Sequence, residues 1–283
     1  MTDIRKLQNG SDIRGIACEG VVGENVNLTE EAGNLIGGGF VRWLADKKGK
    51  RTQELRIGIG HDSRITADSL FAAAAKGILA AGAKVYDCGL VSTPSMFMTT
   101  VFDEFAFDGA IMITASHLPF NRNGYKFFDR DGGLEHDDIT KVLETAAALE
   151  IADTDLSAVE KVDSISVYCT FLQEKIKKSI RALDYDKPLA GLHIVVDTGN
   201  GAGGFFVEKV LAPLGADTSG SQFLEPDGHF PNHIPNPENK EAMEAVRQAV
   251  LRNKADLGII FDTDVDRMSA VLPNGDEVNR DAI

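Results

Sequence analysis

Cysteine is scarce in this sequence: Cys18, Cys88 and Cys169 are three in 283 residues. An odd number with no C-x-x-C spacing excludes a disulfide framework and a zinc knuckle, and it suits a reducing cytoplasm. Long apolar runs are missing as well. No stretch approaches the roughly 20 apolar residues that cross a bilayer, and the start, Met1-Thr-Asp-Ile-Arg-Lys-Leu-Gln8, lacks the apolar core of a signal peptide. A cytoplasmic protein is expected. Basic charge is the third shortage: 29 Lys and Arg against 43 Asp and Glu leave a formal net charge of -14. That balance argues against nucleic acid and anionic membrane surfaces as partners, because both are bound by basic faces.

What is present points to an α/β protein of about two domains. Thr29 and the acidic pair after it cap a helix carrying Leu35, Ile36, Phe40, Trp43 and Leu44 at helical spacing, although Gly37, Gly38 and Gly39 weaken its regularity. Strands are expected over 56–60, 84–88, 110–113, 192–197 and 256–261. Helices are expected over 67–81, 94–102, 137–149, 205–214 and 240–254. Residues 152–155 form a polar linker. Beyond it Ile165, Tyr168, Leu172, Ile176, Ile180 and Leu183 share one face of a further helix.

Two stretches carry chemistry. The apolar run 110–113 stops at Thr114, Ala115 and Ser116, which sets a serine at a strand end, and His117 follows it. Asn123-Gly124 reads as a tight turn leading into a second strand, whose Lys126 is carried back beside Ser116. A serine hydroxyl becomes a useful nucleophile once a neighbour takes its proton and another stabilises its charge. The second stretch is Asp262-Thr-Asp-Val-Asp266-Arg267 after a buried strand. Carboxylates at i, i+2 and i+4 there turn toward one point, a concentration of charge that calls for a hard cation, with magnesium expected.

Three other patterns are decoys. His61-Asp62-Ser63 sits on one short turn, so its members cannot converge on one atom as a triad does, and a structural loop beside the site is expected. Residues 199–204 satisfy G-x-G-x-x-G with Asp217 at the distance of a ribose-binding acid, a weak fingerprint by itself. His229 and His233 stand at i and i+4, but Pro231 and Pro235 rule out the helix that would make them a metal pair.

Residues 114–126, Thr-Ala-Ser-His-Leu-Pro-Phe-Asn-Arg-Asn-Gly-Tyr-Lys, resemble the phosphoserine loop of the alpha-D-phosphohexomutases, usually T-A-S-H-N-P followed by N-G-x-K. Leu118 replaces the usual asparagine. Asp12-Ile-Arg-Gly15 resembles the family's D-I-R-G motif, with Ser11 where tyrosine is common. Residues 199–203 resemble the G-N-G-A-G loop of its second domain, which binds no nucleotide, and 227–237 resemble its D-G-x-F-P-N-H-x-P-x-P connection. Residues 262–267 resemble the D-G-D-x-D-R metal loop, with Thr263 in place of glycine. If the family backbone needs a positive φ there, this loop must differ locally.

The resemblance implies two tandem three-layer α/β/α domains with mixed, mostly parallel sheets: 1–155 with the phosphoserine loop, 156–278 with the metal loop, and 279–283 as the stub of a third. The family has four domains, so a fragment is expected, weakly active or inactive without its C-terminal domains. It further implies exchange of hexose 1-phosphate and hexose 6-phosphate through a hexose 1,6-bisphosphate, with Ser116 as phosphoryl carrier. Mg2+ would be held by Asp262, Asp264 and Asp266 with Ser116 or its phosphate as a further ligand, the two loops meeting around it. Lys126 is the implied general acid or base, His117 and Lys126 contact phosphate, and Arg14 and Arg267 offset its charge. Glucose, mannose and amino-sugar phosphates all remain open as substrates. Two alternatives stand beside this: a haloacid-dehalogenase-like phosphatase with Asp262 as nucleophile, and a non-catalytic sugar-phosphate-binding module.

Overall fold

Alternating strands and helices assemble into two α/β units that divide between Asp163 and Ser164. The computed structural model describes residues 3–278, so the expected stub at 279–283 lies outside the described residues. Among the described residues no helix is long and apolar enough to cross a membrane.

The first unit is a mixed sheet of β1 (Gln8–Asn9), β2 (Asp12–Ile16), β3 (Arg56–His61), β4 (Lys84–Leu90), β5 (Gly109–Ile113), β6 (Arg122–Asp129), β7 (Gly132–Gly133) and β8 (Glu160–Lys161). Its order is β1-β2-β6-β5-β3-β4-β8, with β7 on β6. Strand β3 runs parallel to β4 and β5, whereas β6 returns antiparallel between β5 and β2. The helices are α1 (Glu30–Lys48), α2 (Ala67–Ala80), α3 (Thr93–Met98) and α4 (His136–Ala147). Ile57, Ile59, Ile111, Ile113, Tyr125 and Phe127 share a buried cluster with Phe40 of α1, Ile78 of α2 and Val142 of α4. The alternate residues turn to the other face, where Gly58 and Gly60 lie under Phe107 and Met96 of α3.

Helix α1 starts where Thr29 accepts a hydrogen bond from the Ala32 amide, and it ends at Gly49 in the left-handed conformation. It runs unbroken through Gly37, Gly38 and Gly39, where α2 presses against the first two and α4 against the third. A Cβ on Gly37 would lie 2.3 Å from the Ala74 carbonyl oxygen of α2. Close backbone approach, not irregularity, is what these glycines provide.

Two expectations need correction here. Asn123-Gly124 is no turn: both residues lie within β6, opposite Gly15 and Arg14 of β2. The glycine serves a close strand contact, since a Cβ there would meet the Ile13 carbonyl oxygen at 2.2 Å. The 152–155 segment is also no free linker. The Asn34 amide bonds both the carbonyl and the N–H of Ala152 at 2.9 Å, Leu156 and Val159 pack on the core, and β8 then joins β4.

The second unit holds β9 (Ile194–Asp197), β10 (Leu257–Phe261) and β11 (Met268–Val271) in the order β11-β10-β9, β9 parallel and β11 antiparallel to β10. Its helices are α5 (Ser164–Ser179), the single turn α6 (Gly204–Phe206) and α7 (Lys240–Asn253). Ile194, Val196, Ile259 and Phe261 pack with Cys169 of α5 and with Val207, Val210 and Leu211. Val195, Ile260 and Val271 pack with Val246 and Val250 of α7. A sheet is thus covered on both faces. The helix expected over 205–214 is instead α6 followed by a wide π turn, Val207–Leu211, closed by the Ala212 N–H on the Val207 carbonyl at 3.0 Å. Helix α5 stops before Ile180, and Leu183 is fully exposed, so the apolar period outruns the helix.

Candidate active site

In the first unit, β5 delivers Ser116 on a sharply constrained loop. Ser116 is buried and has φ +52°, in the left-handed region. Its N–H donates to Thr114 Oγ1 at 2.8 Å, and the Thr114 hydroxyl donates to Asp62 Oδ2 at 2.6 Å. The buried Arg64 guanidinium donates to four carbonyl oxygens of the same loop: Ser116 and Leu118 at 2.6 Å, Pro119 and Arg122 at 2.8 Å. From the far side Glu24 accepts from Asn121 Nδ2 at 2.7 Å and from Arg122 Nη2 at 2.6 Å.

Sheet register sets the neighbours. Arg14 pairs with Gly124 and Met112 with Lys126, so Arg14 and Lys126, two residues apart on the ladder, emerge on the same face, the one away from α1, α2 and α4. Both are half-buried, as is His117. The Arg14 guanidinium is braced by Asp12 Oδ2, at 2.7 Å from Nη2 and 3.2 Å from Nε.

In the second unit, β10 ends in the acidic loop. Oxygens of Asp262, Asp264 and Asp266 lie within 4.8 Å of one another. Asp262 and Asp264 are fully buried. Arg267 donates to Asp262 Oδ2 from Nε at 3.0 Å and from Nη2 at 2.8 Å, and the amides of Asp266 and Arg267 both reach Asp262 Oδ1 at 3.1 Å. Even so, burial first, and then Asp264 and Asp266, push the Asp262 carboxyl up to about 8 against the pull of Arg267. The left-handed residue is Val265, φ +61°, and not Thr263. A β-branched residue in that region is strained, and here the strain sits between two of the carboxylates. An all-oxygen donor set with one arginine for three carboxylates fits a hard divalent cation. Thr263 Oγ1, buried with no hydrogen-bond partner among the described residues, adds an unspent polar atom to the same loop.

Residues 5–152 match the family model of phosphoglucomutase/phosphomannomutase alpha/beta/alpha domain I, and residues 167–275 match that of domain II. The chain belongs to the phosphoglucomutase/phosphomannomutase family. It is 31% identical over 282 residues to a phosphoglucosamine mutase of Caldicellulosiruptor saccharolyticus, covering 98% of this chain and 58% of that protein. It is 33% identical over 267 residues to a phosphomannomutase of Escherichia coli, covering 90% of this chain and 53% of the relative. A phosphoglucomutase/phosphomannomutase family protein from Burkholderia thailandensis superimposes with TM-score 0.78 at 26% identity, over 99% of this chain and 57% of that one. The chain therefore spans little more than half the length of these relatives.

Of the residues singled out from sequence, Ser116, His117, Lys126 and Arg14 belong to the first unit of this phosphohexomutase chain, and Asp262, Asp264, Asp266 and Arg267 to the second. His61 forms no triad with Asp62 and Ser63: its Nδ1 lies 2.8 Å from the Asp62 backbone oxygen, while the Asp62 carboxylate serves Thr114 and Arg64. The 199–204 loop is filled by its own chain. Asn200 bonds Asn232 and the Glu225 carbonyl, and the Ala202 N–H reaches the Thr263 carbonyl at 2.8 Å, so the loop buttresses the acidic loop. His229 lies against Asp227 and His233 against Asp197, separate partners that make no metal pair. Both oxygens of Asp262 accept hydrogen bonds, which lends a phosphatase nucleophile no support. Asp62 falls in the 61–63 stretch expected as a structural loop, whereas Arg64 and Glu24 are loop supports that the sequence reading does not name. The one sequence signal was Asp62-Ser-Arg64 at a strand end.

Proposed function

We propose that this chain carries the phosphoserine and metal-binding parts of an enzyme that interconverts hexose 1-phosphates and hexose 6-phosphates through a hexose 1,6-bisphosphate. The observation that carries this reading is Ser116, held at a strand end in a strained, fully braced loop on a family-matched domain. With phosphate on Ser116 Oγ, the free hydroxyl oxygen of the sugar bonds to phosphorus as the Oγ–P bond breaks. The hydroxyl proton is taken up by Lys126 and ends on Ser116 Oγ. The bisphosphate turns over, and the same events in reverse return its other phosphate to Ser116. Arg14, His117 and Arg267 are the proposed contacts to anionic phosphate oxygens. Magnesium held by Asp262, Asp264 and Asp266 would supply charge withdrawal from those oxygens.

Intact mass tests this. After incubation with a hexose 1,6-bisphosphate, the chain is expected to gain one phosphate, and Ser116→Ala to gain none. Phosphate uptake needs only half of the exchange, so a serine that stays unmodified after prolonged incubation would sink the mutase reading. A panel of glucose, mannose and amino-sugar bisphosphates then ranks the substrates.

A further inference from the structure

Ser116 occupies a backbone conformation that a non-glycine residue keeps only when its surroundings over-determine it. Both of its backbone polar groups are accounted for. The N–H is fixed on Thr114 Oγ1, and the carbonyl on Arg64 Nη2. A threonine hydroxyl is a rotor that both donates and accepts. Here Asp62 takes its hydrogen at 2.6 Å, so a lone pair is left facing the Ser116 N–H. Asp62 and Arg64 also hold one another: the Arg64 N–H donates to Asp62 Oδ1 at 3.0 Å, and Arg64 Nε lies 3.5 Å from Asp62 Oδ2. Asp62 is 0% exposed and Arg64 2%.

A buried ion pair by itself is weak evidence of anything beyond packing. What distinguishes this one is its target, since the Arg64 guanidinium donates to four carbonyls within residues 116–122. From this geometry we propose that Asp62 and Arg64 are positioning residues: through Thr114 on one side and directly on the other, they lock the Ser116 backbone in the turn from which Oγ carries phosphate. The proposal rests on the phosphoserine reading above. Lysine could not substitute for the arginine, because a point charge with three donors cannot span four carbonyls fixed around a planar fork.

The test follows phosphate uptake by Ser116 from hexose 1,6-bisphosphate in single-turnover experiments on the full chain, across a range of bisphosphate concentrations. The proteins are wild type, Thr114→Val, Thr114→Ser, Asp62→Asn and Arg64→Lys, each with its melting temperature measured. Thr114→Val, Asp62→Asn and Arg64→Lys are expected to lower the maximal rate by about 10- to 100-fold, with little change in the half-saturating concentration. Thr114→Ser, which keeps the hydroxyl, should recover most of it. General loss of stability would not produce that split, or a rescue by serine. Undiminished maximal rates in folded Thr114→Val and Arg64→Lys would overturn the proposal. If wild type takes up no phosphate, the mutase reading itself fails, and amide exchange then decides the clamp. Exchange at 115–118 faster by about 10-fold in Thr114→Val or Arg64→Lys upholds the lock; exchange equal to wild type refutes it.

Discussion

Asp197 and His233, 36 residues apart in sequence, form a buried carboxylate–imidazole pair in the second unit, His233 Nε2 lying 3.0 and 3.1 Å from the two carboxylate oxygens. The same carboxylate accepts from the Gly199 N–H at 2.9 Å and from Gln222 Nε2 at 2.7 Å, so it anchors the turn that supports the acidic loop. Burial alone would lower the His233 pKa. The hydrogen bond and charge of Asp197, the Ile234 carbonyl and more distant Glu241 outweigh that and hold it above the ordinary histidine value.

The sign of the resulting pH dependence is fixed. A histidine whose folded pKa is raised contributes stability that is complete below the unfolded value of about 6.5 and is lost as pH rises through the folded pKa. Urea unfolding of the chain is therefore expected to show declining stability above about pH 6.5 from this source, and His233→Gln should flatten that decline. His233→Ala leaves a buried carboxylate without its counter-charge, at a cost of about 3 kcal/mol. A pH profile identical in wild type and His233→Gln would contradict the assignment.

The acidic loop predicts a pH dependence of the same sense, together with a metal effect. With its carboxyl at about 8, native Asp262 retains a proton that the unfolded chain releases above about pH 4. Without a cation, stability should thus fall as pH rises between those values. Magnesium at 100 times its dissociation constant should add about 2.7 kcal/mol, and a chelator should remove it. Asp264→Asn should blunt the response. Melting curves indifferent to magnesium at pH 8 would count against a cation site.

Gly37→Ala sets two effects against each other. Helix propensity favours alanine by about 1 kcal/mol, but the added carbon meets the Ala74 carbonyl oxygen at 2.3 Å, a backbone atom with nowhere to go. Overpacking of that kind costs about 1–3 kcal/mol, so net destabilisation is expected. It should appear as a lower urea midpoint with an unchanged slope.

The left-handed backbone at Ser116 separates two substitutions that both remove its hydroxyl. Ser116→Gly relieves the strain and Ser116→Ala does not, so the glycine variant should be the more stable of the two by about 1 kcal/mol. Equal melting temperatures would mean that the turn stores no strain.

Local patterns carried most of the fold and the placement of Ser116 and the acidic loop at strand ends. Three aspartates closely spaced after a strand do converge, though on a turn with Val265 left-handed and not by strand alternation, and a capping threonine before an apolar helical stripe starts α1. Long-range partners decided the rest. The Asn123-Gly124 pair suits a hairpin turn or a crowded strand equally well until the Ile13 carbonyl is known to lie against it. Leu183 continues a helical period past the residue where α5 stops. Asp62 and Arg64 act on residues 52 to 58 positions away, a relationship no spacing rule could supply.

Arg64 grips the serine loop by four carbonyl oxygens, and every amino acid brings one of those. The path of the loop at 118 is therefore held through the backbone and not through the side chain displayed there. Leucine can stand at 118 without altering the path of the chain. The side chain at 118 is in this way open to variation while the backbone at Ser116 stays put.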